Sequence, residues 1–300
     1  MANPSLTQPY VGEVTAGRWP DAAPRRLRAA RRLSLALSVA SAGAAGGTLL
    51  VPSVLHGPAA MNGSARGTAL VVLAVALPAL LALCALSRKR SWQVTSLWLG
   101  VTMYLAYNAV LFCFATPFNA LFLPYVAMLG LSIGAGASVL VLVRASRPAE
   151  HVSGGRAVRV VRGVAVYVWV VAGLNALLWL RAIVPATGDS QDADFLRGTG
   201  LTTNPVYVED LGFWLPLAAV SAWWLWRQRR RGVLLAGAVL TLWVVEGVSV
   251  AADQWLGSRA EPASGVVSSS MVLPFLVLAV VGCVPLALLL SRGMGRDLRP

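Results

Sequence analysis

The strongest candidate for chemistry in this sequence is an acid within an apolar stretch. Glu246 is the only acid deep inside such a run, and Ser249 and Asp253 follow it at helical spacing, so the three share one helical face. A charged side chain at the centre of a bilayer costs roughly 2.5–3.5 kcal/mol on insertion scales, so it normally faces protein or water. We therefore expect Glu246 to face the interior of a helix bundle and to have a functional role.

Other polar side chains lie at a similar depth in neighbouring apolar runs, towards the same side of the predicted membrane. They are Tyr104, Asn108, Asn119, Tyr125, Arg181 and Asp210. Polar groups in a bilayer need protein partners, because lipid offers none. Together with Glu246, these residues predict a polar pocket that opens to the outer side and binds a small-molecule ligand.

A structural role is the alternative for each of these groups. Amides and tyrosines supply hydrogen bonds between membrane helices at about 0.6 kcal/mol each. Arg181 and Glu246 could form an ion pair that only holds helices together. Asp210 could cap the amino terminus of its helix, where a carboxylate is favoured. The residue types alone leave both interpretations open.

Catalytic motifs are missing from the sequence. It contains no Walker A loop, no H-E-x-x-H and no G-x-S-x-G. The three cysteines and two histidines do not have the spacing of metal or haem ligands. We therefore predict no catalytic residue, no metal and no cofactor, and the sequence favours a protein that is not an enzyme. The alternative enzyme would act on lipid head groups, with Glu246 or Asp210 as general base.

Apolar runs dominate the chain and define its fold class. Of the 300 residues, 57% are hydrophobic and 12% are charged, whereas about a quarter of a soluble domain is charged. Runs of about 20 apolar residues match the roughly 30 Å hydrocarbon core. Residues 33–291 therefore predict an all-α polytopic membrane bundle of about eight helices, at about 33–55, 68–86, 93–115, 120–143, 164–184, 211–226, 233–252 and 271–291.

The distribution of basic residues predicts the orientation of this bundle. With the amino terminus in the cytoplasm, about 21 of the 25 basic residues fall in cytoplasmic segments, which is the bias that sets orientation. Both termini are then cytoplasmic, with a disordered basic tail over residues 1–32 and a second tail over 292–300. Arginines dispersed among loops do not form the single basic face that nucleic-acid binding requires.

Composition and small residues suggest the location and the partners. The chain is rich in Ala, Val, Gly and Arg, as in bacterial proteins from GC-rich genomes, and we expect a multi-pass protein of the bacterial plasma membrane. The lipid bilayer is its first partner. Small residues at four-residue spacing favour close helix contact or a membrane-protein partner, and they occur at Gly43 and Gly47 and again at Gly130, Gly134 and Ser138.

Two stretches resemble a family of uncharacterised bacterial polytopic membrane proteins. The first is YLAYNAVLF followed by FNALFLPY, with the pattern F-N-x-L-F-L-x-Y, and the second is NPVYVEDLGFWLPLAAVSAWWLWRQRRRGVLLAGAVL. The likeness covers about residues 97–250. It implies that the shared positions cluster on the outer side, and it carries no activity to transfer. The shared positions are Asn108, Asn119, Tyr125, Asp210 and Pro216.

Three functions are consistent with these observations. The first is a permease-like or ligand-sensing protein with an outward-facing polar pocket. The second is an accessory or structural membrane subunit without a site of its own. The third, less favoured, is the membrane-embedded enzyme acting on lipid head groups.

Overall fold

The computed structural model describes residues 23–89, 91–145, 152, 154–188 and 193–291. Within these ranges the chain is predominantly helical and contains no strand. The described residues form eight long helices, and seven of these are each long and apolar enough to span a membrane without interruption. The predicted all-α membrane-helix bundle is therefore confirmed.

The helices run alternately up and down and are joined by short connections. Numbered along the chain, they are α1 Ala23–Leu50, α2 Ala59–Leu86, α3 Trp92–Phe114, α4 Phe122–Ala145, α5 Gly155–Ala186, α6 205–226, α7 Arg230–Ala260 and α8 Val272–Leu290. Short 3₁₀ turns lie at Pro52–Val54, Ser87–Lys89, Asp194–Leu196 and Ser269–Met271. We call the end at which α1, α3, α5 and α7 finish the outer end, following the predicted orientation.

The starts of α1, α2, α5 and α6 differ from the sequence prediction. α5 begins at Gly155 rather than near residue 164. α1 begins at Ala23, so residues 23–32, predicted as part of a disordered tail, are helical; arginine and alanine are good helix formers, which explains this extension. The remainder of that predicted tail and the predicted tail 292–300 lie outside the described residues. α6 begins at Pro205 rather than near residue 211.

The pairing of α2 with α7 extends both helices at the outer end. α2 begins at Ala59 rather than near 68, and α7 continues to Ala260 rather than ending near 252. A Cβ placed on Gly63 would lie 2.6 Å from the Leu256 carbonyl oxygen, so the two backbones are in direct contact there. The apolar runs of the sequence predicted shorter helices than the structure contains. The outer turns are less apolar, and contact with protein, not only with lipid, stabilises them.

Two helices contain a π-helical turn immediately before a proline. In α2 the turn is Val72–Ala76, two residues ahead of Pro78, and in α6 it is Asp210–Trp214, two residues ahead of Pro216. Proline lacks an N–H and its ring clashes with the carbonyl four residues earlier, which falls inside each π turn. The wider turn accommodates that clash while the helix continues. α6 thereby reaches about 33 Å, enough to cross the bilayer.

The middle of the bundle is formed by α3 and α7. α3 is the most buried of the spanning helices, and it packs between α4 and α7. α1 packs on α4, α2 and α8 pack on α7, and α5 packs on α6 at the periphery. Polar side chains on α3 and α7 therefore face protein rather than lipid.

Candidate functional site

Close contact between α3 and α7 sets the register of the central polar groups. The two helices run parallel, and a Cβ placed on Gly100 would lie 2.5 Å from the Cβ of Thr241. Ser96 of α3 donates a hydrogen bond to the Leu234 carbonyl at 2.7 Å. These contacts bring the outer half of α3 beside the outer half of α7.

Glu246 meets Asn108 in this outer half. The Asn108 Nδ2 donates to Glu246 Oε2 at 2.9 Å and to the Tyr104 carbonyl at 3.0 Å. Asn108 is fully buried, whereas Glu246 keeps part of its surface accessible. The Oδ1 atom of Asn108 is buried without a hydrogen-bond partner. The pair thus offers one fixed carboxylate and one free amide acceptor.

The stripe that continues along α7 is held by hydrogen bonds to two other helices. Tyr104 of α3 donates its hydroxyl to Ser249 Oγ at 3.1 Å. Thr68 of α2 donates to Asp253 Oδ1 at 2.9 Å, and both of these residues are buried. The polar face of α7 is therefore enclosed by α2 and α3.

A second pair of acids lies at the π turn of α6. Asp210 accepts a hydrogen bond from Trp179 Nε1 at 2.8 Å, and Asn175 and Tyr107 also lie within hydrogen-bonding range of its carboxyl. Glu209 accepts from Trp214 Nε1 at 2.9 Å, while its Oε1 atom is buried and has no hydrogen-bond partner among the described residues. The amino-terminal cap of α6 is Asn204, so Asp210 does not cap this helix.

The four acids Glu209, Asp210, Glu246 and Asp253 form one electrostatic group, which we call the acid cluster. Glu246 lies within electrostatic range of the other three acids. No arginine or lysine of the described chain forms a salt bridge with any of the four acids. The cluster is therefore a region of negative potential that a proton or a cation would stabilise.

Arg181 does not join this cluster. Its side chain is exposed on α5, and it forms no ion pair. The salt bridge found among the described residues is Arg197 to Asp194, at 2.5 Å in the connection before α6. The alternative in which Arg181 neutralises Glu246 is therefore not the arrangement in this structure.

Asn119 and Tyr125 lie in a different region of the outer end. Asn119 Nδ2 donates to the Pro117 carbonyl, and its Oδ1 accepts from the Leu121 N–H, both at 2.8 Å, so it orders the α3–α4 turn. The Tyr125 hydroxyl and Thr48 Oγ1 are 2.6 Å apart, which links α4 to α1. The contacts of both residues are thus structural, and neither residue contacts Glu246.

A large cavity lies beside the acid cluster at the outer end. It has a volume of about 930 Å³ and lies between α3, α4 and α6, beneath the connection that precedes α6. We call it the lateral cleft and define it by Val110, Phe114, Leu129, Ile133, Phe213 and Leu217, with Glu209 on its wall. Its volume is within the usual range for small-molecule sites.

Glu209 was missed as a site residue because it was assigned to the connection before the sixth span. The signal for a longer helix is present in the sequence: Asn204 followed by Pro205 is a favoured cap and first position of a helix. In the structure Asn204 Oδ1 accepts from the Val206 N–H at 3.0 Å. A helix that begins there carries Glu209 into the bundle.

The fold and site together define a class: a membrane-helix bundle with a buried acid cluster and a lateral cleft in its outer half. Among the described residues, no group of three or more histidine, cysteine or acidic side chains is arranged to hold a metal ion. Comparison with protein-family models, curated proteins and solved structures finds no match for this chain.

Proposed function

We propose that the protein is a permease-like or ligand-sensing membrane protein whose site, centred on Glu246, binds a proton or a cationic ligand. One observation carries this proposal. Glu246 is fixed by Asn108 and lies near three further acids without a basic partner. A location in a bacterial plasma membrane, and kinship with the uncharacterised family that the sequence resembles, are parts of the same proposal.

The electrostatics favour a cationic ligand over an anionic one. Carboxylates within a membrane are costly unless a partner neutralises them. The position of Arg181 on the exposed face of α5 leaves that role to a proton or a bound cation. Glu246 is partly accessible and can accept hydrogen bonds from an ammonium group, which donates hydrogen bonds and accepts none. Asn108 Oδ1 is buried next to it and could act as a second acceptor only after a local rearrangement.

Thermal unfolding of the purified protein tests this proposal with named probes. Short alkylammonium ions should raise the apparent melting temperature, because a ligand that binds only the folded state stabilises it. Acetate at the same concentration should not. Glu246→Gln should abolish the shift, and Glu246→Asp should retain part of it. The matched control is Glu261→Gln, an exposed acid at the outer end that accepts a hydrogen bond from the Ala60 N–H.

Equal shifts in Glu246→Gln and in Glu261→Gln would contradict the proposal, as would stabilisation by acetate. Uptake of the stabilising ammonium ion into proteoliposomes then separates a permease from a sensor. Stable co-purification with one membrane protein, unaffected by Glu246→Gln and without any ammonium effect, would favour the accessory-subunit alternative.

A further inference from the structure

The lateral cleft opens on the side of the bundle that would face the lipid bilayer. Three of its residues belong to different spanning helices and are largely exposed: Phe114 of α3 is 65% exposed, Ile133 of α4 is 61% exposed and Phe213 of α6 is 69% exposed. A protein in a bilayer presents such faces to hydrocarbon. An occupant can therefore enter the lateral cleft sideways, from the outer half of the membrane.

The depth of the lateral cleft matches one lipid chain. Glu209 is the fifth residue of α6, about 6 Å from the outer end of that helix, whereas Leu217 lies about 12 Å further in. The connection with Thr199, Thr202 and Thr203 covers the outer rim. The lateral cleft thus runs from the level where lipid head groups meet their chains to the middle of the bundle, and its lining becomes apolar in the same direction.

One polar atom in the wall lacks a partner. Glu209 is only 4% exposed, and its Oε2 accepts from Trp214, but its Oε1 has no donor from the described residues. A buried acceptor without a donor is costly. Glu209 lines the lateral cleft, so a rotation of its carboxyl group would bring the buried Oε1 to a donor carried by an occupant.

The negative charge around Glu209 determines which kind of hydrogen-bond donor an occupant should carry. Asp210 and Glu246 both lie within electrostatic range of Glu209, and no basic residue of the described chain forms a salt bridge with it. A hydroxyl would satisfy Oε1 but would leave the negative potential unchanged. An ammonium group supplies both the hydrogen bonds and the compensating charge.

We propose that the lateral cleft binds an amphiphile through an ammonium head group and one of its hydrocarbon chains, with the head at Glu209 and the chain along Phe213 and Leu217. This assignment rests on Glu209 and the apolar lining, and it is independent of whether Glu246 binds a proton or a small cation. The occupant is either an aminolipid of the bilayer or a free long-chain amine.

Photo-crosslinking of the whole protein in phosphatidylcholine nanodiscs tests this assignment. The probe is a long-chain alkylamine with a photoreactive group on its chain, and the comparison probe has the same chain with a carboxylate head. We expect the amine to label peptides of α3, α4 and α6 about tenfold more than the carboxylate does, since a charge-assisted hydrogen bond accounts for a factor of this order.

Two variants, each with a control, make the test specific. Glu209→Gln should reduce labelling by the amine about tenfold, whereas Glu261→Gln should not. Val208→Trp fills the lateral cleft beside Glu209 and should also reduce labelling, whereas Val220→Trp, exposed on the same helix outside the lateral cleft, should not. If Glu209→Gln fails to fold, comparison of Val208→Trp with Val220→Trp still tests whether the amine binds in the lateral cleft.

Equal labelling by amine and carboxylate would overturn the assignment, and so would labelling that Val208→Trp leaves unchanged. Addition of phosphatidylethanolamine to the nanodiscs separates the two sources. Loss of labelling identifies a bilayer aminolipid as the occupant, and persistence identifies a free amine. If short alkylammonium ions do not stabilise the unmodified protein while labelling is retained, the proposed function is rejected and this assignment remains.

Discussion

Asn108 and Glu246 show what single residues contribute to this molecule. Asn108 donates to the carboxylate and to the Tyr104 carbonyl, so one amide fixes both the rotamer of Glu246 and the adjacent turn of α3. Asn108 thus makes the hydrogen bond between helices that the sequence offered as its structural role, and the same bond orients the carboxylate of the proposed site. Asn119, by contrast, bonds to backbone groups of its own turn.

Thr68 provides a residue-scale prediction about stability. Thr68→Val keeps the shape of the side chain but removes the hydroxyl that donates to buried Asp253. Leaving a buried acceptor without its donor costs about 1–3 kcal/mol. We expect a corresponding loss in the free energy of unfolding, measured by denaturant titration in mild detergent.

The control for this prediction is Thr187→Val. Thr187 is exposed just after the end of α5, and its hydroxyl donates to the carbonyl of Val184 in the last turn of that helix. Its replacement should change stability by less than about 0.5 kcal/mol, as for most surface sites. Equal losses in the free energy of unfolding of the two variants would show that the Thr68–Asp253 hydrogen bond does not contribute more to stability than a surface bond.

The contact between α2 and α7 shows that small-residue spacing alone does not locate close helix packing. The rows predicted from sequence lie in α1 and α4, which do pack together. A Cβ on Gly47 would lie 2.6 Å from a side-chain carbon of Leu121, whereas a Cβ on Gly43 or on Gly130 would meet nothing within 4 Å. The tight backbone approach is instead at Gly63 and Gly67 of α2.

Opposite effects of two alanine substitutions test this difference at the scale of the helix. A Cβ on Gly67 would lie 2.5 Å from the Ala252 carbonyl, so Gly67→Ala must move α2 away from α7. We expect a loss of about 1–3 kcal/mol, the usual cost of overpacking. Gly130→Ala adds a methyl in open space and should gain about 0.5–1 kcal/mol from helix propensity.

The measurement is again the free energy of unfolding in detergent. A stabilised Gly67→Ala would contradict the close α2–α7 contact. A destabilised Gly130→Ala would indicate that this face of α4 is covered, for example by a second membrane protein.

The π turn in α6 connects this helix to the site. It begins at Asp210, and a π turn holds one more residue than an α turn, so it rotates Glu209 and Asp210 relative to the remainder of α6. Pro216 favours this wider turn by removing the hydrogen bond that a regular helix would make. From the sequence alone, Pro216 predicts only a kink in the helix. In the structure it also helps to determine which face of α6 carries Glu209 and Asp210.

The charge distribution determines how the whole molecule should sit in a membrane. Eight spanning helices return the chain to the side on which it starts, and the arginine-rich connections lie on that side. The acid cluster and the lateral cleft both lie at the opposite end. A reversed orientation would place both of these features on the cytoplasmic side.

Reporter fusions in intact cells test this orientation. Green fluorescent protein, which fluoresces after cytoplasmic folding, should be bright at both ends of the chain, whereas alkaline phosphatase, which needs an oxidising compartment, should be inactive there. The control is a chain truncated after residue 188, at the outer end of α5, where the two reporters should give the opposite result. Phosphatase activity at either full-length terminus would reverse the orientation.

Sequence alone determined the class of this protein and the number of its spanning helices. Both follow from local apolar content, because the thickness of the hydrocarbon core imposes a minimum length on every span. The starts of α2 and α6 were less predictable, since their outer turns are stabilised by protein contacts that hydropathy does not measure.

Only the tertiary structure decided which polar groups meet. Asn108 and Glu246 are 138 positions apart, and they pair because Gly100 lets α3 approach Thr241 of α7. Arg181 was expected beside Glu246, but α5 packs at the edge of the bundle and presents this arginine outwards. Packing between distant segments determines how the helices are arranged and rotated in the bundle. The residue periodicity of a single helix does not predict this arrangement.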